Sequence, residues 1–369
     1  MIGIIDADLI TRKKHRFPNL ASMKISGYCK AQGHDTRLIT SYEEDLAAYE
    51  KIYISKVFTN TEIPEDVLRL ETVTCGGTGF YFNKAPALPP EIEHTRPDYS
   101  LYDGFVEKLR AAGSKPSELK SYTDYSIGYL TRKCFRGCKF CVNQDYKAVE
   151  AASPLEEFLE QDRKKICLLD DNFLGFRGWE PLLDQLIQTE KPFKFMQGLD
   201  ERLLTPKKIE KLFSAKYDGE MTFAFDDIAD AKLIEEKLDM IRKYSNREIK
   251  FYILSGYNPK NDQSAEFWKN NLVSVFERMN ILAKYKALPY IMRHEDYERS
   301  PYKGIYITIG RWANQPGFYR NISLNQFIDK ATAAGEKAPG KYREKTLGDF
   351  PELEKYFSKV YEKEVQLIG

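Results

Sequence analysis

Six apolar segments of strand character alternate with segments of helical character along the middle of the chain, and this alternation restricts the fold more than any other feature. Parallel strands need long crossover connections, which helices supply, so the alternation indicates an α/β fold with a parallel sheet. The alternation fits a parallel barrel or a doubly wound sheet, and both place chemistry at the carboxyl ends of the strands. Of the two we predict a partial (β/α)6 TIM-like barrel. The predicted strands lie at 125–132, 165–171, 193–198, 221–227, 249–257 and 287–292.

The first hundred residues contain a shorter form of the same alternation. A helix is predicted at 18–32, between the first two of several short strands, and this pattern indicates a small parallel sheet. A proline-bearing segment at 85–100 has little periodicity and is predicted to be a linker. The predicted strands of this part lie at 2–6, 35–40, 51–58 and 72–77.

The alternation weakens after residue 295. The segment 304–310 is predicted to be a strand and 311–320 a loop, and a stretch rich in Gly, Ala and Lys follows them. The chain is therefore predicted to have three parts, namely an N-terminal domain over 1–105, a barrel over 122–312 and a C-terminal region over 313–369.

The charge balance and the apolar runs exclude several classes of protein. The formal net charge is +1, which gives no general field to attract nucleic acid or an anionic membrane surface. No apolar run is long enough to cross a bilayer, and the first residues do not resemble a secretory signal. We expect a cytoplasmic protein without a membrane partner, in which thiols stay reduced. Nucleic acid is disfavoured as a partner.

Three of the six cysteines lie within eight residues, in the stretch CFRGCKFC that follows the first predicted barrel strand. A closed structural zinc site normally takes four protein ligands. The nearest further thiol, Cys167, lies inside a predicted buried strand. A four-iron cluster held by only three cysteines has one iron left for an external ligand. The residues alone leave both a zinc site and an open iron-sulfur site as interpretations.

The stretch resembles the CxxxCx(aromatic)C loop of the radical S-adenosylmethionine enzymes, and its position after the first barrel strand is also similar. The resemblance implies that Cys134, Cys138 and Cys141 bind a [4Fe-4S] cluster whose fourth iron is chelated by S-adenosylmethionine. It also implies that Phe140 lies against the adenine of that cofactor. In this family the reduced cluster cleaves the cofactor to methionine and a 5'-deoxyadenosyl radical, which removes a hydrogen atom from the substrate.

Further contacts to S-adenosylmethionine are expected from polar residues at the carboxyl ends of the other predicted strands. Asp170 and Asp171 replace the glycine-rich stretch that often meets the methionine part in this family. Gln197, Asp226 and Ser255 are candidates for the ribose or the methionine carboxylate by their position alone. The alternative for each of them is an ordinary polar residue at a strand end or a helix cap.

The N-terminal part resembles the Rossmann-like, cobalamin-binding-type domain that precedes the barrel in some members of this family. The run Gly76-Gly77-Thr78-Gly79 after a strand contributes to that resemblance, although it lacks the spacing of a phosphate-binding loop. The Asp-x-His-x-x-Gly signature, which supplies a histidine to cobalt, is absent. His15 lies in a basic run and His34 follows a helix end, so both are expected to be solvated. Cobalamin is therefore the weaker expectation.

The function predicted from these observations is that of a radical S-adenosylmethionine enzyme acting on an unidentified substrate. A small electron-transfer protein such as flavodoxin or ferredoxin is the expected electron donor. The alternatives are a non-catalytic zinc or iron-sulfur protein and a cobalamin-dependent radical methyltransferase. Cys29, Cys75 and Cys167 are expected to be structural, so one cluster is predicted. The segment 311–316, with Trp312, either recognises the substrate or packs as part of the core.

Overall fold

The computed structural model describes residues 1–12 and 17–361. It divides into two compact units, Met1–Met196 and Gln197–Gly369. His15 and most of the basic run around it lie outside the described residues. The finer division into three parts stays a prediction.

The first unit opens with a four-stranded parallel sheet in the order β2-β1-β3-β4. The central strand β1 is buried along its whole length, and Ile2 is in register with Thr36 on one side and with Lys51 on the other. Its isoleucines suit a strand that is covered on both faces. The four predicted strands are confirmed as β1 (Ile2–Asp6), β2 (Thr36–Ile39), β3 (Lys51–Ser55) and β4 (Val73–Gly76).

The second sheet of this unit is also parallel, with the order β5-β8-β9. A short antiparallel ribbon formed by β6 and β7 follows β5. Buried Ile127, Ile166 and Phe193 come from the three parallel strands and form part of the core. The bounds are β5 (Tyr125–Gly128), β6 (Thr131–Arg132), β7 (Glu150–Ala151), β8 (Lys165–Leu168) and β9 (Phe193–Phe195).

The helices of the first unit include the predicted one near the N-terminus. This helix, α2, begins after Asn19, whose side chain accepts a hydrogen bond from the backbone N–H of Ser22 and so caps the helix. The helices are α1 (Ala7–Thr11), α2 (Leu20–Ala31), α3 (Glu65–Leu68), α4 (Thr78–Tyr81), α5 (Pro90–Glu93), α6 (Asp103–Ala111), α7 (Pro116–Thr123), α8 (Leu155–Phe158) and α9 (Trp179–Gln188). Short 3-10 turns cover Leu46–Ala48, Phe82–Lys84 and Phe173–Gly175.

The segment 85–100 is packed against α2, so its prediction as a linker is wrong. The amino group of Lys24 lies 2.9 Å from the carboxylate of Glu93, and the backbone N–H of Asp98 donates to the carbonyl of Met23 at 2.9 Å. Two of its prolines, Pro89 and Pro90, open the short helix α5 instead of keeping the chain extended.

The second unit contains a three-stranded parallel sheet in the order β10-β11-β12. The long helix α12 packs its buried face, which includes Trp268, Leu272 and Phe276, on β11 and β12. The strands are β10 (Met221–Ala224), β11 (Ile249–Ser255) and β12 (Ala287–Arg293). The helices are α10 (Pro206–Ser214), α11 (Ala231–Tyr244), α12 (Ala265–Lys284), α13 (Lys303–Ala313), α14 (Pro316–Tyr319), α15 (Leu324–Ala333), α16 (Lys337–Asp349) and α17 (Glu354–Phe357). Short 3-10 turns cover Glu201–Leu203, Ile228–Asp230, Glu295–Arg299 and Pro351–Leu353.

The predicted strand at 304–310 is wrong, because these residues belong to helix α13. Alternating β-branched residues between two glycines suggested a strand. The structure instead buries Ile305, Ile309 and Trp312, which lie on one face of a helix. The predicted loop at 311–320 is likewise mostly helical, in the end of α13 and in α14.

The six strands predicted for the barrel are present as parallel strands, which confirms the α/β class. β5, β8 and β9 lie in the first unit, and β10, β11 and β12 lie in the second. The joining of these strands in one partial barrel stays a prediction. Among the residues that the structure describes, no helix combines the length and the apolar character needed to cross a membrane.

Candidate functional site

The three clustered cysteines lie in a loop between the two strands of the short ribbon. The ribbon pairs Thr131 with Ala151 and Arg132 with Glu150, so it fixes the base of the loop. The Lys133 amino group adds an ion pair of 2.8 Å to the Glu150 carboxylate. We call residues 133–143 the cysteine loop.

The cysteine loop presents three cysteine side chains. Cys134, Cys138 and Cys141 are half-buried and form no disulfide. Gly137 has φ of 58°, a left-handed conformation that lets the chain turn between the first two thiols. The backbone N–H of Cys141 donates to the carbonyl of Cys138 at 2.9 Å, which closes a second turn. The conformation of the loop is therefore stabilised by its own backbone turns as well as by the ribbon at its base.

The two aspartates that follow β8 bind the backbone of the segment that leads into the cysteine loop. Asp170 is 1% exposed, and its carboxylate accepts hydrogen bonds from the backbone N–H groups of Leu130 at 3.1 Å and Thr131 at 2.7 Å. Asp171 accepts a hydrogen bond from the backbone N–H of Lys133 at 2.7 Å. Two residues that follow β8 thus hold the backbone of the segment that follows the neighbouring strand β5.

The sulfur atoms of Cys134 and Cys141 accept hydrogen bonds from asparagines. The side-chain amide of Asn172 donates to the sulfur of Cys134 at 3.3 Å, and the backbone N–H of Asn143 donates to the sulfur of Cys141 at 3.4 Å. Such bonds stabilise negative charge on sulfur and are a usual means of tuning iron-sulfur centres. Sequence reasoning missed both residues. Asn172 had a signal in its position beside the two strand-end aspartates, whereas Asn143 had none.

The charges around the cysteine loop suit a negatively charged group of thiolates. Lys133, Arg136 and Lys139 all lie in the loop. Burial raises the pKa of the Cys141 thiol, and a hydrogen bond from Asn143 opposes that change. Burial also raises the pKa of Asp170 to about 7, against the effect of its hydrogen bonds from Thr131. A soft metal centre bound through sulfur would favour the thiolate form of these cysteines.

A single metal ion and an iron-sulfur cluster make different demands on the ligands. Within the described ranges 1–12 and 17–361, no three His, Cys, Asp or Glu side chains converge on a site for one metal ion. A four-iron cluster binds each cysteine at a different iron atom, so its thiolates surround the cluster and do not meet at one ion. Three cysteines on one loop are the donor set that such a cluster takes when one iron is left for another ligand.

The remaining strand-end candidates lie in the second unit, where Asp226 and Ser255 are at strand ends, whereas Gln197 follows β9 of the first unit. The carboxylate of Asp226 accepts a hydrogen bond from the backbone N–H of Leu254 at 3.2 Å, and burial raises its pKa. Ser255 is buried, and its hydroxyl donates to the carbonyl of Met292 at 3.2 Å. Gln197 is exposed. Asp226 and Ser255 thus connect neighbouring strands within this unit, and their role towards a cofactor stays a prediction.

A buried arginine that sequence reasoning missed also lies at these strand ends. Arg278, on α12, is 3% exposed and donates to the carbonyls of Phe225 at 2.8 Å and Leu254 at 2.9 Å. Burial lowers its pKa to about 10, although Asp226 opposes that change. Its position inside an amphipathic helix gave no signal of this role in the sequence.

The N-terminal sheet also ends in acidic residues, but these bind the protein itself. Asp6 accepts hydrogen bonds from the Tyr102 hydroxyl at 2.9 Å and from the backbone N–H of Leu9. Asp8 accepts from the backbone N–H of Val57 at 2.7 Å and from the hydroxyl of Thr61. These four contacts are all internal to the first unit.

The glycine run after β4 is a packing feature of the same sheet. Gly77 has φ of 103°, and a Cβ atom there would lie 2.3 Å from the carbonyl oxygen of Lys56. The backbone N–H of Gly79 donates to that same carbonyl at 2.9 Å. The small residues let two backbone segments approach each other closely.

The other predicted structural residues are mostly buried. Cys29 and Cys167 are buried, whereas Cys75 is half-buried. Trp312 is fully buried, which favours its interpretation as a core residue. His34 is exposed, as predicted.

One solved structure has the same fold over most of its length. No family profile matches the sequence. The structure of the radical S-adenosylmethionine methyltransferase TsrM from Kitasatospora setae, with cobalamin and a [4Fe-4S] cluster bound, matches with a TM-score of 0.51 and 10% sequence identity. The match covers 79% of this chain and 71% of the TsrM chain. The chain therefore shares the fold of the TsrM structure over the matched residues. The resemblance predicted from the cysteine motif is thereby confirmed at the level of the fold.

A second match spans nearly the whole chain with weaker superposition. It is the apo, selenomethionine-labelled structure of OxsB, a cobalamin-dependent S-adenosylmethionine radical enzyme, at 14% identity and a TM-score of 0.38. The match covers 98% of this chain and 57% of the OxsB chain. A TM-score of this size does not establish a common fold.

Proposed function

We propose that this chain is a radical S-adenosylmethionine enzyme that uses one [4Fe-4S] cluster. The observation that carries the proposal is the cysteine loop itself, with three cysteines on one loop and with N–H donors on the sulfur atoms of Cys134 and Cys141. The likeness in fold to TsrM supports it. When bound, the cluster and S-adenosylmethionine would supply reductive one-electron chemistry that side chains cannot perform.

The role of the protein is to bind and orient these groups. Cys134, Cys138 and Cys141 would bind three irons and leave the fourth to the cofactor. Phe140, which is half-buried between the second and third thiols, would lie against the adenine. The side-chain amide of Asn172 and the backbone N–H of Asn143, which donate to the sulfur atoms of Cys134 and Cys141, would stabilise the charge that the reduced cluster carries.

The other predicted contacts to S-adenosylmethionine are part of the proposal. They are Asp170, Asp171, Gln197, Asp226 and Ser255. For Asp170 and Asp171 a cofactor contact would be additional to the hydrogen bonds that these residues accept from the segment 130–133. A carboxylate has room for this, because its two oxygens can accept about four hydrogen bonds.

The proposed enzyme needs partners and a fold that encloses the reaction. We propose that the parallel strands of both units form the predicted partial barrel, with a Rossmann-like domain over 1–105. A small electron-transfer protein of the flavodoxin or ferredoxin type would reduce the cluster. The substrate is proposed only as a molecule with a C–H bond available for hydrogen removal.

Cobalamin is a second possible cofactor of the proposed enzyme. TsrM was solved with cobalamin bound, so the expectation that cobalamin is disfavoured here gains no support. The N-terminal sheet of this chain would be its place, because ligands of such folds bind at the carboxyl edge where the strand order reverses. Equilibrium dialysis with hydroxocobalamin tests this directly.

Anaerobic reconstitution tests the proposed function. We expect about four irons and about four sulfides per chain, and cleavage of S-adenosylmethionine after reduction with dithionite. One zinc per chain without cleavage would instead indicate a non-catalytic metal protein. The matched control is the Cys138→Ala variant, which should bind no four-iron cluster and cleave no cofactor.

A further inference from the structure

Asp171 connects the two ends of the cysteine loop. One carboxylate oxygen accepts the backbone N–H of Lys133 at 2.7 Å, and the other accepts the side-chain amide of Asn143 at 2.8 Å. Lys133 precedes the first thiol and Asn143 follows the last one. A single side chain thus joins the entry and the exit of the segment that carries all three thiols.

The residue at the entry has an unfavourable backbone conformation. Lys133 has φ of 73°, in the left-handed region that a residue with a Cβ atom seldom adopts. Such a conformation persists only where surrounding contacts hold it. The hydrogen bond from its N–H to Asp171 is such a contact, and it acts at the residue beside Cys134.

We propose that Asp171 is a positioning residue that holds the cysteine loop in its cluster-binding shape before any cluster is present. This inference rests on the proposed function for the identity of the group that the loop receives. It deepens the sequence-based assignment, in which Asp171 was only a contact to S-adenosylmethionine. Joining both loop ends reduces the conformational freedom that cluster binding would otherwise have to remove.

Two substitutions separate this role from the role of a charged cofactor contact. Asp171→Ala removes both acceptors. Asp171→Asn keeps an acceptor for the N–H of Lys133, and the amide of Asn143 can turn so that its oxygen faces the new amide group. If Asp171 only joins the two ends of the cysteine loop, asparagine can replace it. If Asp171 must contribute a negative charge to a cofactor contact, asparagine cannot.

The experiment is hydrogen exchange on the full-length protein without its cluster, followed over peptides that cover residues 133–143. We expect Asp171→Ala to accelerate exchange in this loop by roughly tenfold, as the loss of a hydrogen bond to a charged group implies. Asp171→Asn should stay close to the wild type. Asp162→Ala, which alters an exposed aspartate of the same unit, is the control and should change nothing in the loop.

A second readout is the iron retained after anaerobic reconstitution and gel filtration. The wild type and Asp171→Asn should retain similar amounts, and Asp171→Ala should retain clearly less. Unchanged exchange in Asp171→Ala would overturn the inference even if the wild type binds a four-iron cluster and cleaves S-adenosylmethionine. Conversely, accelerated exchange in Asp171→Ala together with a wild type that binds no cluster would support the positioning role of Asp171 and refute the proposed function.

Discussion

The two parallel sheets of the first unit both end in aspartates, and the partners of those aspartates differ. Asp6, the last residue of β1, and Asp8, in the helix α1 that follows, bind groups of the sheet and of this helix. After β8, Asp170 and Asp171 bind a neighbouring segment that carries three thiols. A carboxylate at a strand end therefore becomes part of a candidate site only where the segment that it holds carries reactive groups.

The largest expected effect is on iron binding, and it should separate the cysteines of the cysteine loop from a cysteine of the N-terminal sheet. Replacing Cys134, Cys138 or Cys141 by alanine should reduce the iron bound after reconstitution from about four atoms per chain to near zero. Cys75→Ala, in β4 of the N-terminal sheet, should leave the iron content unchanged. Iron and sulfide analysis with the visible absorption spectrum measures both. Equal loss in the Cys75 variant would break the distinction between the regions.

The next effect concerns the buried carboxylate of the N-terminal sheet. Asp8→Ala leaves the backbone N–H of Val57 and the hydroxyl of Thr61 without their acceptor. We expect the free energy of unfolding to fall by about 2–4 kcal/mol, with the iron content per folded chain unchanged. Urea unfolding followed by circular dichroism measures the loss. Asp66→Ala, at an exposed position of α3, is the control.

The next prediction compares Gly77, beside the N-terminal sheet, with Gly113, which follows helix α6. Gly77→Ala combines a left-handed backbone with a clash against the Lys56 carbonyl, and we expect a loss of about 2–3 kcal/mol. Gly113→Ala also places a side chain on a left-handed backbone, with φ of 87°, but nothing lies within 4 Å of its new Cβ. It should lose only about 1 kcal/mol. Equal losses in thermal or urea unfolding would show that the close approach at Gly77 is unimportant.

The smallest effect is a pH dependence in the N-terminal sheet. Burial raises the pKa of Asp6 to about 7, although the hydrogen bond from Tyr102 opposes that change. The folded state therefore binds a proton that the unfolded state has released above about pH 4. This contribution to stability is complete at low pH and is lost as the pH rises towards 7.

Asp6→Asn removes this titration and tests its sign. Between pH 6 and pH 7 the wild type should lose about 1 kcal/mol of unfolding free energy relative to the variant. Urea unfolding at both pH values measures the difference. A wild type whose stability relative to the variant does not change over this interval would show that Asp6 is already ionised in the folded protein.

Most of the strands and the cysteine loop could be predicted from the sequence, because they depend on local patterns. The isoleucines of β1 and the spacing of Cys134, Cys138 and Cys141 are such patterns. Helix α13 was missed because Ile305, Ile307 and Ile309 alternate as they would in a strand. Ile305 and Ile309 also lie on one face of a helix. Only packing decides between them.

The contacts that hold the site could not be predicted, because they join residues far apart in the chain. Asp171 was recognised as a strand-end carboxylate, but its partners Lys133 and Asn143 depend on how two loops meet. The left-handed conformation of Lys133 has no signature in its residue type. A pattern can thus identify the ligands of a site before it can identify their supports.

Electron paramagnetic resonance of the reconstituted, dithionite-reduced protein tests the central claim most directly, because three cysteines leave one iron open to S-adenosylmethionine. We predict the signal of a reduced four-iron cluster that changes when S-adenosylmethionine is added, and no such signal in Cys138→Ala. A wild-type protein without an iron-sulfur signal, or with a signal that S-adenosylmethionine leaves unchanged, would contradict the account.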